Sequence, residues 1–197
     1  MRGKSHVCMG WCNYSDSQFS IQKRTKRRKG MKDMRMIPQR LVDVLQIVYS
    51  GLENRSLNWA VVGSLGLALR GASIEPQDID IMTDKVGAYE IERIFSDSVT
   101  SPVSLKSSSM IQSHFGALSI DGVKIEIMGD FQIRLENGTW QEPPNLALLK
   151  ETEHIGEMSV PVLPLAWEHD SYMKLGRKDR AESAMELIRN RVHEKPP

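Results

Sequence analysis

The sequence of 197 residues lacks long apolar runs and contains only two cysteines, Cys8 and Cys12. Its longest nearly apolar stretch, Trp59 to Leu69, is shorter than the roughly 18 residues that a transmembrane helix needs. The basic amino terminus is not followed by the apolar block of a secretory signal peptide. Two cysteines are too few for a disulfide scaffold. We therefore expect a cytoplasmic protein without membrane contact.

Charge is distributed unevenly along the chain, although the formal net charge is only +1. Residues 1–36 contain ten Lys or Arg against two Asp, a balance of +8, and the remaining residues contain sixteen against twenty-three Asp or Glu, a balance of −7. We therefore predict a basic, disordered N-terminal extension over 1–36 and one acidic domain over 37–193, with C-terminal helices from about residue 164.

The basic extension allows more than one interpretation. The cations clustered between Lys23 and Lys29 are typical of a contact with nucleic acid, and the low apolar content is equally typical of a solvated tail. Two cysteines and one histidine lack the fourth ligand of a structural zinc site. Translation from Met31, Met34 or Met36 is a further alternative, which would omit the extension.

From Ile37 onward, the spacing of apolar residues predicts regular elements. Helical spacing predicts helices over 38–54, 65–69, 86–96, 165–175 and 179–192. Short apolar or alternating runs predict strands over 57–62, 79–81, 113–120 and 123–128, and a further hairpin over 150–163. Asp121-Gly122 predicts a tight hairpin turn between two of these strands. We expect an α/β (α+β) fold, a mixed β-sheet flanked by helices with a C-terminal helical element.

Gly63 and Ser64 lie where a predicted strand passes into a predicted helix. Unpaired backbone N–H groups and the helix dipole favour an anion at such a terminus, and glycine permits close approach of a ligand. A hydroxyl at this position adds a hydrogen-bond donor, although a serine there is commonly only a helix N-cap. The pair therefore indicates either a phosphate contact or a helix cap.

Asp78 and Asp80 alternate with Ile79 and Ile81, so both carboxylates are predicted to lie on one face of a strand. Two carboxylates about 4 Å apart repel by roughly 4 kcal/mol at an effective dielectric constant near 20. A divalent cation reverses this repulsion, because Mg²⁺ prefers oxygen ligands. Two diverging, solvated aspartates at a strand end are the alternative.

Glu126 follows the same alternation, because Val123, Ile125 and Ile127 form the buried face of its predicted strand. If this strand pairs with the Asp78–Asp80 strand, a third carboxylate lies on the same side of the sheet. Three converging carboxylates suit one or two metal ions that support phosphoryl transfer. Lys124 and Asp130 are candidates for orienting Glu126.

The series Gly63-Ser64, a gap of thirteen residues, Asp78-Ile79-Asp80-Ile81 and a later strand with Glu126 resembles the DNA polymerase beta-type nucleotidyltransferase superfamily. It is most similar to the small stand-alone nucleotidyltransferase-like proteins. The resemblance implies a nucleotidyltransferase fold. It also implies Asp78, Asp80 and Glu126 as catalytic metal ligands for two Mg²⁺ ions, with Mn²⁺ as a substitute.

The resemblance further implies the substrates. A nucleoside monophosphate would pass from a triphosphate such as ATP to an acceptor hydroxyl, releasing pyrophosphate, with Gly63 and Ser64 binding the nucleotide. Lys174 precedes Arg177-Lys178-Asp179 and is similar to a nucleotide contact of related families, or it is a solvated helix-end cation. The alternative is a non-catalytic, antitoxin-like module that binds a nucleotide or a partner. The acceptor and homodimer formation stay open.

Overall fold

The computed structural model describes residues 37–193, so the predictions for the N-terminal extension lie outside the described residues. The described chain contains six α-helices, α1 (Gln39–Leu52), α2 (Gly63–Leu69), α3 (Lys85–Ile94), α4 (Leu146–Leu149), α5 (Leu165–Lys174) and α6 (Lys178–His193). Its strands are β1 (Trp59–Val62), β2 (Ile79–Thr83), β3 (Val99–Ser107), β4 (Ile111–Ile120), β5 (Val123–Ile133), β6 (Glu151–Ile155) and β7 (Met158–Val162).

The seven strands form one mixed sheet in the order β3-β4-β5-β2-β1-β7-β6. Strand β2 pairs with β5 in parallel and with β1 antiparallel, and β1 pairs with β7 in parallel. The predicted mixed sheet flanked by helices is confirmed. The parallel pair matters for function, because it places the strand of Asp80 directly beside the strand of Glu126.

One face of the sheet packs on the amphipathic helix α1. The helical spacing recognised in the sequence is confirmed, since the buried residues of α1 are Leu41, Val44, Leu45, Val48 and Leu52. They join a core that includes Ile79, Ile81, Ile125 and Ile127, the residues that alternate with the carboxylates on β2 and β5. Burial of the isoleucines therefore directs Asp80 and Glu126 to the opposite face.

That opposite face carries a second core under the C-terminal part of the chain. At Asp130 the buried side chains of β5 change from one face of the sheet to the other. Asp130 has a φ of 49°, and the register against β4 shifts at this point. Beyond this bulge Phe131 and Ile133 pack with Met82 and Leu163 on the face of the carboxylates. Strand β5 therefore reaches Ile133, five residues beyond the predicted end at 128.

The predicted turn at Asp121-Gly122 is confirmed, because both residues have positive φ values, 49° and 74°. Strand β3 and the short helix α4 were not predicted from the sequence. Strand β3 lies at the edge of the sheet and is mostly exposed, so it lacks the apolar alternation that identifies a half-buried strand. Within residues 37–193, no helix has the length and apolarity needed to cross a bilayer.

Candidate active site

The carboxylates predicted to converge lie on neighbouring strands. Asp80 on β2 is paired in register with Glu126 on β5, and Asp78 directly precedes β2. The predicted pairing of the two acidic strands is therefore confirmed. Asp80 is half-buried, and its pKa is raised to about 7. Burial is the main cause, and the negative charges of Asp78 and then Glu126 raise the pKa further, whereas the positive charges of Arg177 and Lys124 offset only part of the rise.

Lys124 is the nearest cation to Glu126, since its Nζ donates a hydrogen bond to Glu126 Oε1. This hydrogen bond raises the pKa of Lys124, and the charges of all three carboxylates act in the same direction. The ammonium group is mostly exposed, and it lowers the pKa of Asp80 less than Arg177 does. Asp130, the other residue considered for orienting Glu126, instead accepts a hydrogen bond from the Lys85 backbone N–H at 3.0 Å.

Gly63 opens helix α2 against the carboxylate of Asp80. Its φ is +72°, and a Cβ at this position would lie 2.1 Å from Asp80 Oδ2. The glycine is required both by its backbone conformation and by the closeness of the carboxylate. Ser64 follows within α2 and is buried. Among the described residues, no side chain caps the start of this helix.

A buried ionic network lies beneath this turn. Arg70 Nη2 contacts Glu168 Oε1 at 2.5 Å, and the Tyr172 hydroxyl donates to Glu168 Oε2 at 2.8 Å. Arg70 also donates to the backbone oxygens of Gly66 and Leu163. Burial raises the pKa of Glu168, whereas Arg70, Tyr172 and the nearby Gly63 backbone N–H act against the rise. The network joins α5 to the Gly63 turn.

These elements enclose a cleft of about 340 Å³. Its floor is the sheet, and helix α5 and the residues joining β3 to β4 contribute walls. The lining combines carboxylates, serines, two cations and apolar side chains, namely Val62, Gly63, Asp80, Met82, Lys106, Ser107, Ser108, Ile111, Ser113, Phe115, Glu126, Met128, Phe131, Trp167, Glu168, Ser171, Tyr172, Leu175 and Arg177.

The candidate cations at the end of α5 occupy different positions. Lys174 Nζ donates to Gln141 Oε1 at 3.0 Å, and Lys174 is not one of the described residues that line the cleft. Arg177 lines the cleft, and its charge lowers the pKa of Asp80. Gly176, with a φ of +69°, redirects the chain between them. Of these two residues, Arg177 is thus the one that lies near the carboxylates.

Sequence reasoning missed Arg177 and the network of Arg70, Glu168 and Tyr172. Glu168 and Tyr172 are four residues apart on α5, which is a spacing that places two side chains on one helix face. That pattern alone carried no functional signal, because Arg70 lies 98 residues away from Glu168 along the chain.

The carboxylates are ligands of the type that divalent cations prefer, but their side chains are not already arranged as a metal site. Within residues 37–193, no group of three or more Asp, Glu, His or Cys side chains is arranged to hold a metal ion. Burial and, next to it, the negative charges of Asp78 and Glu126 nevertheless raise the pKa of Asp80, and carboxylate oxygens are the preferred ligands of Mg²⁺. A cation among Asp78, Asp80 and Glu126 would remove the repulsion that the structure contains.

Comparison with known proteins gives a family match over most of the domain. Residues 44–187 match the family model described as aminoglycoside-2''-adenylyltransferase. Among curated protein sequences, no significant match was found.

Solved structures extend the comparison. The chain is 46% identical to a Thermotoga maritima protein classed as a nucleotidyltransferase, with a TM-score of 0.70 over 81% of this chain and 96% of the other. The solution structure of the antibiotic-resistance factor ANT(2'')-Ia has a TM-score of 0.50 and 11% identity, over 76% of this chain and 83% of that one. A crystal structure of ANT(2'')-Ia with adenylyl-2''-tobramycin has a TM-score of 0.47 and 10% identity, over 75% and 88%. At such low identity the ANT(2'')-Ia solution structure shares only the fold.

Proposed function

Because the chain belongs to the aminoglycoside-2''-adenylyltransferase family, a family of nucleotidyltransferases, we propose that it transfers a nucleoside monophosphate from ATP or another nucleoside triphosphate to an acceptor hydroxyl. Membership makes nucleotidyl transfer its class of activity and confirms the resemblance inferred from Gly63-Ser64 and the later carboxylates. The observation that carries the proposal is the register pair of Asp80 and Glu126 beside the Gly63 turn.

Asp78, Asp80 and Glu126 would hold the divalent cations, either two Mg²⁺ ions or Mn²⁺. Such cations, when bound, offset the negative charge of the triphosphate and of the transferring phosphoryl group. The elevated pKa of Asp80 supports this role. Burial and two neighbouring carboxylates disfavour its charged form, and a bound cation would favour that form again.

The nucleotide would lie with its phosphates along Gly63 and Ser64, where the missing side chain of Gly63 permits close approach to the backbone. Arg177 would contact the phosphates from the cleft wall, since it already lies near Asp80. Lys174 would contribute only after leaving Gln141.

In the transfer, the acceptor oxygen forms a bond to the α-phosphorus. The bond from that phosphorus to the oxygen shared with the β-phosphate breaks, so pyrophosphate leaves. The acceptor hydroxyl proton passes to the Glu126 carboxylate, which lies beside Asp80 in the sheet.

Calorimetric titration of the protein with ATP and Mg²⁺ tests this assignment. We expect saturable binding by the native protein and a loss of at least tenfold in affinity in the Asp78→Asn, Asp80→Asn variant, which preserves side-chain shape. Asp97→Asn is the matched control, because Asp97 is exposed and away from the cleft. Equal affinity in the three proteins would refute the site.

Pyrophosphate release separates the enzyme from a non-catalytic, antitoxin-like module. We expect release with ATP, Mg²⁺ and hydroxyl acceptors, and no release by the double Asn variant. Tight ATP binding without release from any acceptor would favour the non-catalytic alternative.

A further inference from the structure

The geometry points to the class of acceptor, an inference that rests on the proposed function. We propose that the acceptor is a hydroxyl compound with an uncharged, largely aromatic or apolar body, and that polycationic aminoglycosides bind poorly. The proposal stands on the composition of the half of the cleft next to Glu126.

Two adjacent rows of side chains cross the sheet beneath the cleft, and all of their members except Ala60 and Ala117 line it. In one row, Val62, Asp80, Glu126 and Ala117 are successive register partners across β1, β2, β5 and β4. In the next row, about 7 Å away along the strands, the partners are Ala60, Met82, Met128 and Phe115. A group that reacts above the carboxylates therefore extends over an apolar surface.

The two ends of these rows have different environments. Gly63 and helix α2 follow β1, so the nucleotide phosphates belong at the β1 end. The acceptor then belongs at the β4 end, beyond Glu126. Ile111, Ser113 and Phe115 of β4 line the cleft there, together with Ser107 and Ser108. This wall offers an aromatic ring, aliphatic contacts and hydroxyl groups, which suit a neutral compound.

A fixed cation also lies in the acceptor half. The Lys106 Nζ is 4.6 Å from the centroid of the Phe115 ring and donates to Ser101 Oγ at 3.0 Å. These two contacts hold the ammonium group beside the apolar wall. A ligand ammonium placed here would meet a charge of the same sign.

The carboxylates that line the cleft are already occupied. In the described chain, the cleft is lined by Asp80, Glu126 and Glu168 as its only acidic residues. The first two belong to the proposed cation site, and Glu168 is paired with buried Arg70. An aminoglycoside carries several ammonium groups, and each one left without a carboxylate loses hydration without gaining a partner. A neutral aromatic compound has no such penalty.

Comparison of the affinities of three classes of compound tests the proposal. The full chain is first saturated with Mg²⁺ and an ATP analogue whose α,β bridge cannot be cleaved. Binding is then measured by calorimetry for 4-nitrophenyl glycosides and neutral aryl alcohols, for methyl glycosides, and for tobramycin. We expect at least one aryl compound to bind tenfold more tightly than both other classes. Stronger binding of tobramycin, no preference for the aryl group, or no aryl binding would overturn the proposal.

Two substitutions test whether Phe115 and Lys106 cause the preference for aryl compounds. Phe115→Ala should weaken aryl binding about tenfold, because aromatic contact is lost. Lys106→Glu should strengthen tobramycin binding about tenfold, and this exposed change tests the charge argument even if Phe115→Ala fails to fold. Leu148→Ala, at a position 81% exposed and outside the cleft, should change neither. Unaltered preferences in Lys106→Glu would overturn the assignment of the acceptor half.

The initial ATP titration separates the two proposals. Failure to bind the ATP analogue with Mg²⁺ refutes the proposed function. Normal binding of the analogue, followed by a preference for tobramycin, overturns only the acceptor class.

Discussion

Single residues in this site are constrained by their neighbours more than by their own preferences. Gly63 adopts a positive φ, as many turn glycines do, but it also lies against a carboxylate that must itself stay close to Asp78 and Glu126. A side chain at 63 would therefore displace the Asp80 carboxylate, which is a proposed metal ligand. Conformation and function constrain this position together.

Gly63→Ala should reduce both stability and ATP binding. A left-handed backbone costs an L-residue about 1–2 kcal/mol, and the new Cβ would in addition lie 2.1 Å from Asp80 Oδ2. Gly122→Ala is the matched control, because Gly122 has a nearly equal φ of +74° with nothing within 4 Å of its added Cβ. Urea unfolding and calorimetry measure the two effects. If Gly63→Ala is no more destabilising than Gly122→Ala, the contact with Asp80 is unimportant.

Asp80 should make the metal-free protein less stable as the pH rises. Its pKa is about 7 in the folded protein, against 3.8 for an ordinary aspartate, so the folded state binds more protons between these values. The free energy of unfolding therefore falls from about pH 4 to pH 7 and stays lowered above it. Asp80→Asn removes this contribution.

Urea unfolding in EDTA at pH 5 and pH 8 measures the effect. We expect the native protein to lose more stability than Asp80→Asn between the two pH values, and Mg²⁺ to restore stability to the native protein at pH 8. Parallel losses in both proteins would contradict the assigned protonation of Asp80.

Helices α2 and α5 are joined by the pair of Arg70 and Glu168, whose side chains are almost fully buried. Arg70 is the C-cap residue of α2, and Glu168 lies in the first turn of α5. The pair therefore fixes the position of α2, which begins at Gly63, relative to the helix that covers the cleft. We interpret both residues as positioning residues.

Arg70→Ala should destabilise the fold by about 3–5 kcal/mol, because it leaves the buried Glu168 carboxylate without its partner. Arg93→Ala is the control, since its ion pair with Glu90 is solvent-exposed and exposed pairs contribute little to stability. Chemical denaturation compares them. The double change Arg70→Met, Glu168→Leu should recover much of the loss. Failure to recover would show that the unpaired carboxylate is not the main cost, and that the hydrogen bonds to the Gly66 and Leu163 oxygens and from Tyr172 matter more.

Elements with local signals were predictable from the sequence, and contacts between distant segments were not. Helix α1 and the turn at Asp121-Gly122 follow from spacing and turn chemistry within a few residues. The pairing of Asp80 with Glu126 followed from alternation and the family resemblance. The bulge at Asp130 and the contact between Arg70 and Glu168 depend on tertiary packing, which a local pattern does not encode.

The cation beside the carboxylates illustrates the same limit. Lys174 and Arg177 are three residues apart, and the sequence comparison favoured Lys174. The positive φ of Gly176 ends α5 and turns the chain, and Arg177 N donates to Tyr172 O at 2.9 Å. This turn at the end of the helix directs Arg177 to the cleft.

At the scale of the whole molecule, charge separates residues 1–36, at +8, from the remaining chain, at −7. The acidic domain contains the proposed site and would repel a polyanion outside it. Any affinity of the full chain for nucleic acid would then come from the basic segment. Nucleotide binding and polyanion binding are therefore expected to be separable properties of one chain.

Deletion of residues 1–36 should abolish binding to single-stranded RNA or DNA and leave ATP binding unchanged. Ten cations attract phosphates by releasing counterions, so the affinity of the full chain should fall steeply as salt increases. Fluorescence anisotropy between 50 and 200 mM salt, the range in which such contacts are most sensitive, measures this loss. A full-length variant with Lys23, Arg24, Lys26, Arg27, Arg28 and Lys29 changed to Gln separates charge from length. Equal nucleic-acid binding by the native and truncated chains would show that the acidic domain binds the polyanion itself, against the repulsion expected from its charge.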